Sequence, residues 1–215
     1  MTEHAPPQPD SGSDRRRLRG ARSRQIITRH AVDVASLDGL GWLSFGRLAD
    51  DLQISKAGIQ TLFGTKQNLQ LSTVDTAHTV FIDAVIRPAQ QETEGVPRLR
   101  ALLEHWIAYV AQPLFPGGCF WNANLPEFDS RPGPVRDALM GQRRAWLDVL
   151  AGQLARAAAA YPPAGIDIDL TVFQLDAALN ATNTALRLDE SGSVERLRRV
   201  IDSLLPPNPL SENGL

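Results

Sequence analysis

From residue 21 onward, apolar positions recur every three or four residues, and glycine, proline and serine break the recurrence into segments. That period belongs to helices buried along one face, whereas a strand would alternate every second residue. The first predicted helix covers residues 21–40, with Ile26, Ile27, Ala31, Val34, Ala35 and Leu37 close to one stripe and Gly39 and Gly41 as breakers at its end. Ser44 is the natural N-cap of a short second helix over 45–52, in which Leu48 and Leu52 face inward and Asp50 and Asp51 outward. Ile54-Ser55 makes a tight turn into a third helix over 56–63; Gly64-Thr65 breaks it, and Thr65 caps a fourth that runs from Lys66 to about residue 86 and stops before Arg87-Pro88. Further helices are expected over 98–110, 119–128, 135–161, 170–188 and 194–205, with a turn-rich loop at 112–118 and Asp167 or Asp169 capping the helix from 170. Ile166 to Leu170 alternates, but it is short and flanked by helical pattern, so it reads as a cap; the fold class is all-α with no internal repeat.

Three short helices, two of them joined by a tight turn, match the helix-turn-helix pattern. Leu48, Leu52, Ile54, Ile59, Leu62 and Phe63 are the apolar positions expected to hold the second and third helices at a steep angle. The spacing divides the chain into a basic, disordered tail at 1–20, a helix-turn-helix domain at 21–68, a larger helical domain at 69–206 and a loose end at 207–215.

Composition narrows this picture only slightly. Hydrophobic residues make up 43% and charged residues 21%, enough for a globular core. The net charge of -2 averages unlike parts: residues 1–70 carry 10 basic and 7 acidic side chains, and the remainder 12 and 17. A mildly basic front permits a nucleic-acid partner without demanding one. The Arg15, Arg16, Arg17, Arg19, Arg22 and Arg24 run is either a solvated tail or an arm for the DNA backbone. Cys119 is the sole cysteine, which excludes an intrachain disulfide and fits a reducing, cytoplasmic setting. No apolar run is long enough to span a membrane, and the first residues lack the apolar middle of a secretory signal. His4, His30, His78 and His105 show no ligand spacing, and no nucleophile elbow or phosphate-binding glycine loop is present, so neither a metal, nor a cofactor, nor an enzyme is expected.

The stretch from Leu43 to Leu69 resembles the DNA-binding part of tetracycline-repressor (TetR) regulators. Leu48-Ala49, Ile54-Ser55-Lys56, Phe63 and Thr65-Lys66-Gln67-Asn68-Leu69 keep that family's pattern; Gln53 and Ala57 replace two glycines, Gln60 stands where a tyrosine is usual and Leu62 where a histidine is common. Residues Phe115-Pro116-Gly117-Gly118-Cys119-Phe120 and the run from Glu127 to Leu139 look like a C-terminal domain of one branch of these regulators. The resemblance implies a homodimeric transcriptional regulator, usually a repressor, that binds double-stranded DNA and is released by a small-molecule effector held in the C-terminal domain. The competing expectation is a helical protein-interaction module without DNA binding.

On that reading the third helix enters the major groove N-terminus first. Ser55, Lys56, Ala57 and Gly58 form that end; Gln60 and Thr61 follow one turn on; Thr65 and Lys66 open the fourth helix, and Ser44 and Arg47 sit at the start of the second, against flanking phosphates. Plainer readings stand beside these: N-capping for Ser44 and Thr65, solvated charge for Lys56 and Lys66, and helix packing for Gly58. His105, Trp106, Tyr109, Phe120, Trp121, Asn124, Phe128 and Trp146 are candidates to line an effector pocket, or simply to fill a core. Cys119 is a thiol sensor or, more ordinarily, a small buried hydrophobe. Glu127 and Asp129 read as ion pairs with Arg131 and Arg136 rather than as acid–base chemistry. Ala177, Ala178, Ala181 and Ala185 are small residues at helical spacing, suited to close approach of a second copy.

Overall fold

The computed structural model describes residues 11–160 and 165–206, all helical or irregular, with no strand among them. Ten helices follow one another: α1 Ser11–Asp38, α2 Phe45–Leu52, α3 Lys56–Phe63, α4 Lys66–Phe81, α5 Arg87–Ala89, α6 Val96–Ala111, α7 Phe120–Phe128, α8 Pro134–Ala160, α9 Ile168–Arg187 and α10 Ser193–Leu204. A single 3-10 turn, Leu40–Trp42, joins α1 to α2. Helix α1 packs on α2 and α3 at one end of the molecule and on α4 and α7 at the other. It is therefore shared between the short helices and the larger body.

The local rules at the helix ends operate as the chain suggests. Ser44 Oγ accepts a hydrogen bond from Arg47 N (3.1 Å), Thr65 Oγ1 from Asn68 N (3.1 Å) and Asp167 Oδ1 from Leu170 N (3.0 Å). Each satisfies a backbone donor that the first helical turn leaves without an internal partner. Gln53 closes α2 in the left-handed conformation (φ 54), where the glycine it replaces would be less strained.

Four expectations need correction. Helix α1 begins at Ser11, so residues 11–20 are helical rather than a disordered tail. Residues 13–19 hold no glycine or proline, and adding a turn to an existing helix avoids the nucleation cost that makes an isolated polar segment unstructured. Ile26 (54% exposed) and Leu37 (54%) lie off the buried stripe of α1; Ile27, Ala31, Val32, Val34 and Ala35 form it. Ile54 is 44% exposed, so the α2–α3 junction is held by Leu48, Ile59 and Phe63 instead. The fourth helix does not stop before Pro88: residues Ile82–Ile86 widen into a π-helical stretch and the chain runs on through α5. Proline in a regular helix removes one bond and clashes with the carbonyl four residues back, and the wider turn absorbs that defect. The first ten residues, residues 161–164 and residues 207–215, which include the expected loose end, lie outside the described residues.

Candidate nucleic-acid interface and interior cavity

Helix α3 buries Ile59 and Phe63 and turns its other face outward. Ser55, Lys56, Ala57, Gly58, Gln60 and Thr61 are all exposed, as are Ser44, Thr65 and Lys66; Arg47 is half-buried. The sequence-derived candidates thus share one end of the molecule, but their charges are not equally free. Lys66 Nζ donates to the Gly41 carbonyl (2.6 Å), and Arg47 pairs with Asp38 (2.6 Å). Lys56 makes no ion pair among the described residues. Arg24 is also committed: it donates to the Leu62 carbonyl and lies over the Phe63 ring (4.6 Å), fastening α3 to α1. Arg17 and Arg22 remain exposed on α1.

Gly58 is informative. A Cβ built there would meet nothing closer than Ser55 Cβ at 3.8 Å, which is ordinary contact. Packing inside the chain does not require glycine at this point, yet glycine in a helix costs about 0.5–1 kcal/mol relative to alanine.

The second site is a cavity of about 260 Å³ in the larger body, partly open to solvent beside the exposed Ala145. Its walls come from α4 and the π stretch (His78, Phe81, Ile82, Ile86), α6 (Trp106), the start of α7 (Cys119, Trp121, Asn122, Leu125), α8 (Gln142, Arg143, Ala145, Trp146, Val149) and α9 (Asp176, Leu179, Asn180). Phe81 meets Trp121 and Trp146 edge to face, with ring centroids 5.1 and 5.3 Å apart. The charged wall residues, Arg143 and Asp176, are bonded to each other. Burial lowers the pKa of His78, against a raising influence from Asp75, so its imidazole is neutral near pH 7. Burial also pushes the Cys119 thiol and the Tyr109 hydroxyl up, so both stay protonated and the thiol is not activated.

Of the eight residues expected around a pocket, Trp106, Trp121 and Trp146 line this cavity. His105, half-buried on α6, does not. Tyr109 and Phe120 pack behind the wall: Tyr109 stands edge to face on Phe81 and Phe115, its hydroxyl accepting from Phe120 N (3.1 Å). Phe128 is buried at the far end of α7, under Arg131. Asn124 is fully buried on the opposite side of α7 from the cavity, where Oδ1 accepts from Leu40 N (2.7 Å) and Nδ2 donates to the Ala35 and Phe120 carbonyls (3.2 and 2.7 Å). Apart from Trp146, the α4, α8 and α9 contributors carry no signal in the sequence, because which side of each helix meets the cavity depends on how the helices dock.

The 3-10 turn between α1 and α2 is tied to α4 and α7 by side-chain hydrogen bonds. Leu40 N is held by Asn124, Gly41 N by Glu127 Oε2 (3.0 Å), the Leu40 carbonyl by Gln70 Nε2 (2.9 Å) and the Gly41 carbonyl by Lys66. Glu127 also pairs with Arg131 (3.0 Å), as its sequence neighbours suggest. All four contacts come from α4 or α7, and both helices also form cavity wall. On the far side, α9 exposes Leu170 (50%), Phe173 (71%) and, just beyond its end, Leu188 (66%). Ala177 and Ala181 are exposed beside them, and Ala178, Ala181 and Ala185 line a shallow groove against α10.

Residues 95–203 match the family model "Tetracyclin repressor-like, C-terminal domain". The chain is similar to a TetR-family transcriptional regulator from Streptomyces coelicolor (TM-score 0.71, 20% identity, 86% of this chain and 94% of that one). It is also similar to a TetR transcriptional regulator from Chloroflexus aurantiacus J-10-FL (TM-score 0.76, 18% identity, 87% and 94%). AibR, solved in complex with isovaleryl coenzyme A and operator DNA, is a further structural relative (TM-score 0.68, 17% identity, 86% and 99%). No functionally curated protein sequence matches the chain.

Proposed function

This chain belongs to the tetracycline-repressor-like family of transcriptional regulators, and from that membership we propose that it binds operator DNA as a homodimer and is released by a small molecule in its interior cavity. The observation that carries the reading is the outer face of α3, where Lys56 is unpaired among the described residues and Gly58 serves no packing need within the chain. Both features suit a helix whose N-terminal end presses into a major groove. Ser55, Ala57, Gln60 and Thr61 complete the reading surface, and Ser44, Arg47, Thr65 and Lys66 flank it against phosphates, where the free N–H groups of capped helix ends favour anions. The division into a reading unit at 21–68 and an effector unit at 69–206 follows, with α1 belonging to both. AibR, caught with both a ligand and operator DNA, is a structural precedent for one chain holding two such partners.

Dimerisation is assigned to the α9–α10 face, where Leu170, Phe173, Ala177, Ala181 and Leu188 leave a large apolar strip to water. Two reading units then meet successive major grooves about 34–36 Å apart. Release follows from the 3-10 turn: a ligand that spreads α4 from α7 shifts the four side chains that hold Leu40 and Gly41, and with them the angle at which α2 and α3 leave the body. It acts only in so far as it binds the shifted form better. On this mechanism the regulator is a repressor and has no catalytic role.

The test is selection of bound sequences from random duplex DNA with the wild-type and Lys56→Ala proteins at two salt concentrations. A two-half-site motif is expected, with affinity reduced by the substitution and a salt slope shallower by about one. Folded protein that enriches no sequence would favour the protein-interaction module instead. Sedimentation checks the interface: Phe173→Glu should convert a dimer to a monomer with little change in monomer stability.

A further inference from the structure

The cavity wall specifies what kind of molecule it accepts. We propose that the ligand is a small uncharged aromatic compound of about ten non-hydrogen atoms carrying a neutral polar head, such as a carboxamide, that both accepts and donates a hydrogen bond. This inference rests on the effector reading of the cavity and adds the chemistry of the effector.

Three independent features lead there. The first is charge. Arg143 and Asp176 are bonded to each other, and the carboxylate side chain is only 16% exposed. Arg143 is 36% exposed, so Asp176 is the buried member of the pair. The two charges cancel, the wall offers an ion no free countercharge, and drawing Arg143 off would leave the buried carboxylate unpaired, so an uncharged ligand is favoured. His78, held neutral by burial, adds no charge to the wall. The second is polarity. Among the described residues, the buried side-chain atoms with no hydrogen-bond partner are Arg100 Nε, Trp121 Nε1 and Gln142 Oε1, and the last two belong to residues that line this cavity. A buried donor on the α7 side and a buried acceptor on the α8 side are thus left unsatisfied, and a head that has one acceptor and one donor is their complement. The third is shape. Phe81, Trp106, Trp121 and Trp146 form the apolar part, and rings at edge-to-face separations accommodate another ring well. A cavity of roughly 150 Å³ takes benzene. The 260 Å³ here therefore takes about ten non-hydrogen atoms, a ring plus a short polar arm.

The experiment uses the full chain with Trp42→Phe. Trp42 is 72% exposed, and its removal leaves three tryptophans, all in the cavity wall, as fluorescence reporters. Four near-isosteric probes are titrated: phenylacetamide, phenylacetate, 2-phenylethylammonium and propylbenzene. Phenylacetamide is expected to bind at least tenfold more tightly than either ion. Trp121→Phe and Gln142→Leu should each weaken phenylacetamide by roughly three- to tenfold, the usual net worth of one hydrogen bond. Propylbenzene should bind Gln142→Leu without loss, which also shows that this variant is folded; because Trp121→Phe trims the ring wall too, its effect is read as the fall in amide affinity relative to propylbenzene affinity. Tighter binding of phenylacetate would overturn the proposal and make Arg143 an anion anchor. Binding of the amide that neither variant alters, or no binding by any probe, would overturn it as well. The same titrations with operator DNA present separate the two readings. An ion that binds and releases DNA removes the neutral class but keeps the effector cavity. An amide that binds as described without changing DNA affinity keeps the ligand class and removes the effector role.

Discussion

Gly58 on α3 and Gly117 in the loop before α7 are both glycines whose backbone does not demand a left-handed conformation, yet their surroundings are opposite. A Cβ on Gly117 would overlap the backbone of Ser36 and Leu37 in α1, so the close seam between α1 and the loop exists only because that position lacks a side chain. A Cβ on Gly58 would touch Ser55 at ordinary distance and nothing else. One glycine answers a requirement inside the molecule and the other answers none that the chain itself makes. The same contrast separates the two regions they belong to. The α1–α7 seam is closed by mutual hydrogen bonds, while the α3 face leaves side chains and backbone exposed on short, capped helices.

Gly117→Ala should destabilise by about 3 kcal/mol, because backbone on both sides must move to admit the methyl group; the midpoint of chemical denaturation measures it, and a change under 0.5 kcal/mol would mean the seam is looser than drawn. Asn124→Leu keeps the volume but leaves the Leu40 N–H buried and unpaired, at a cost of about 2 kcal/mol. It should also blunt the response of DNA affinity to ligand, which a purely structural asparagine would not do. Gly58→Ala should have the opposite sign on stability, a gain of about 0.5–1 kcal/mol, together with weaker DNA binding in a mobility-shift titration. A gain in stability with unchanged affinity would remove the close-approach role of α3. The smallest effect is on pH. His78 binds its proton less readily folded than unfolded, where its pKa is near 6.5. The unfolded state therefore takes up more protons as pH falls through 6.5, and stability declines toward acid. Melting curves from pH 7.5 to 5.5 should show this decline in the wild type and less of it in His78→Gln.

What could be read from the chain differs between the two regions for a physical reason. Ser44 and Thr65 as caps, the tight turn at Ile54-Ser55 and the buried pair Ile59 and Phe63 are set by contacts three or four residues apart, so a linear reading reaches them; the capping by Ser55 is seen only in the structure. The state of Lys66 and Arg47 was not legible, because their partners Gly41 and Asp38 lie beyond the helices that carry them. The aromatic positions were a mixed guide. Trp106, Trp121 and Trp146 face the cavity, whereas Tyr109, Phe120 and Phe128 are equally apolar, equally helical in spacing, and packed away from it. Periodicity states which stripe of a helix is buried but not what it is buried against.

The amino-acid sequence by itself therefore determined the all-helical class, the order and approximate ends of the helices and the helix-turn-helix, because capping, turn geometry and hydrophobic period act within a few residues of the chain. Tertiary structure alone decided the rest. The cavity is built from positions scattered over α4, α6, α7, α8 and α9, from His78 to Asn180. The 3-10 turn is held by side chains 25 to 86 residues away. Contacts of that range depend on how whole helices are docked, and docking is set by the summed packing of the core rather than by any one stretch of the chain.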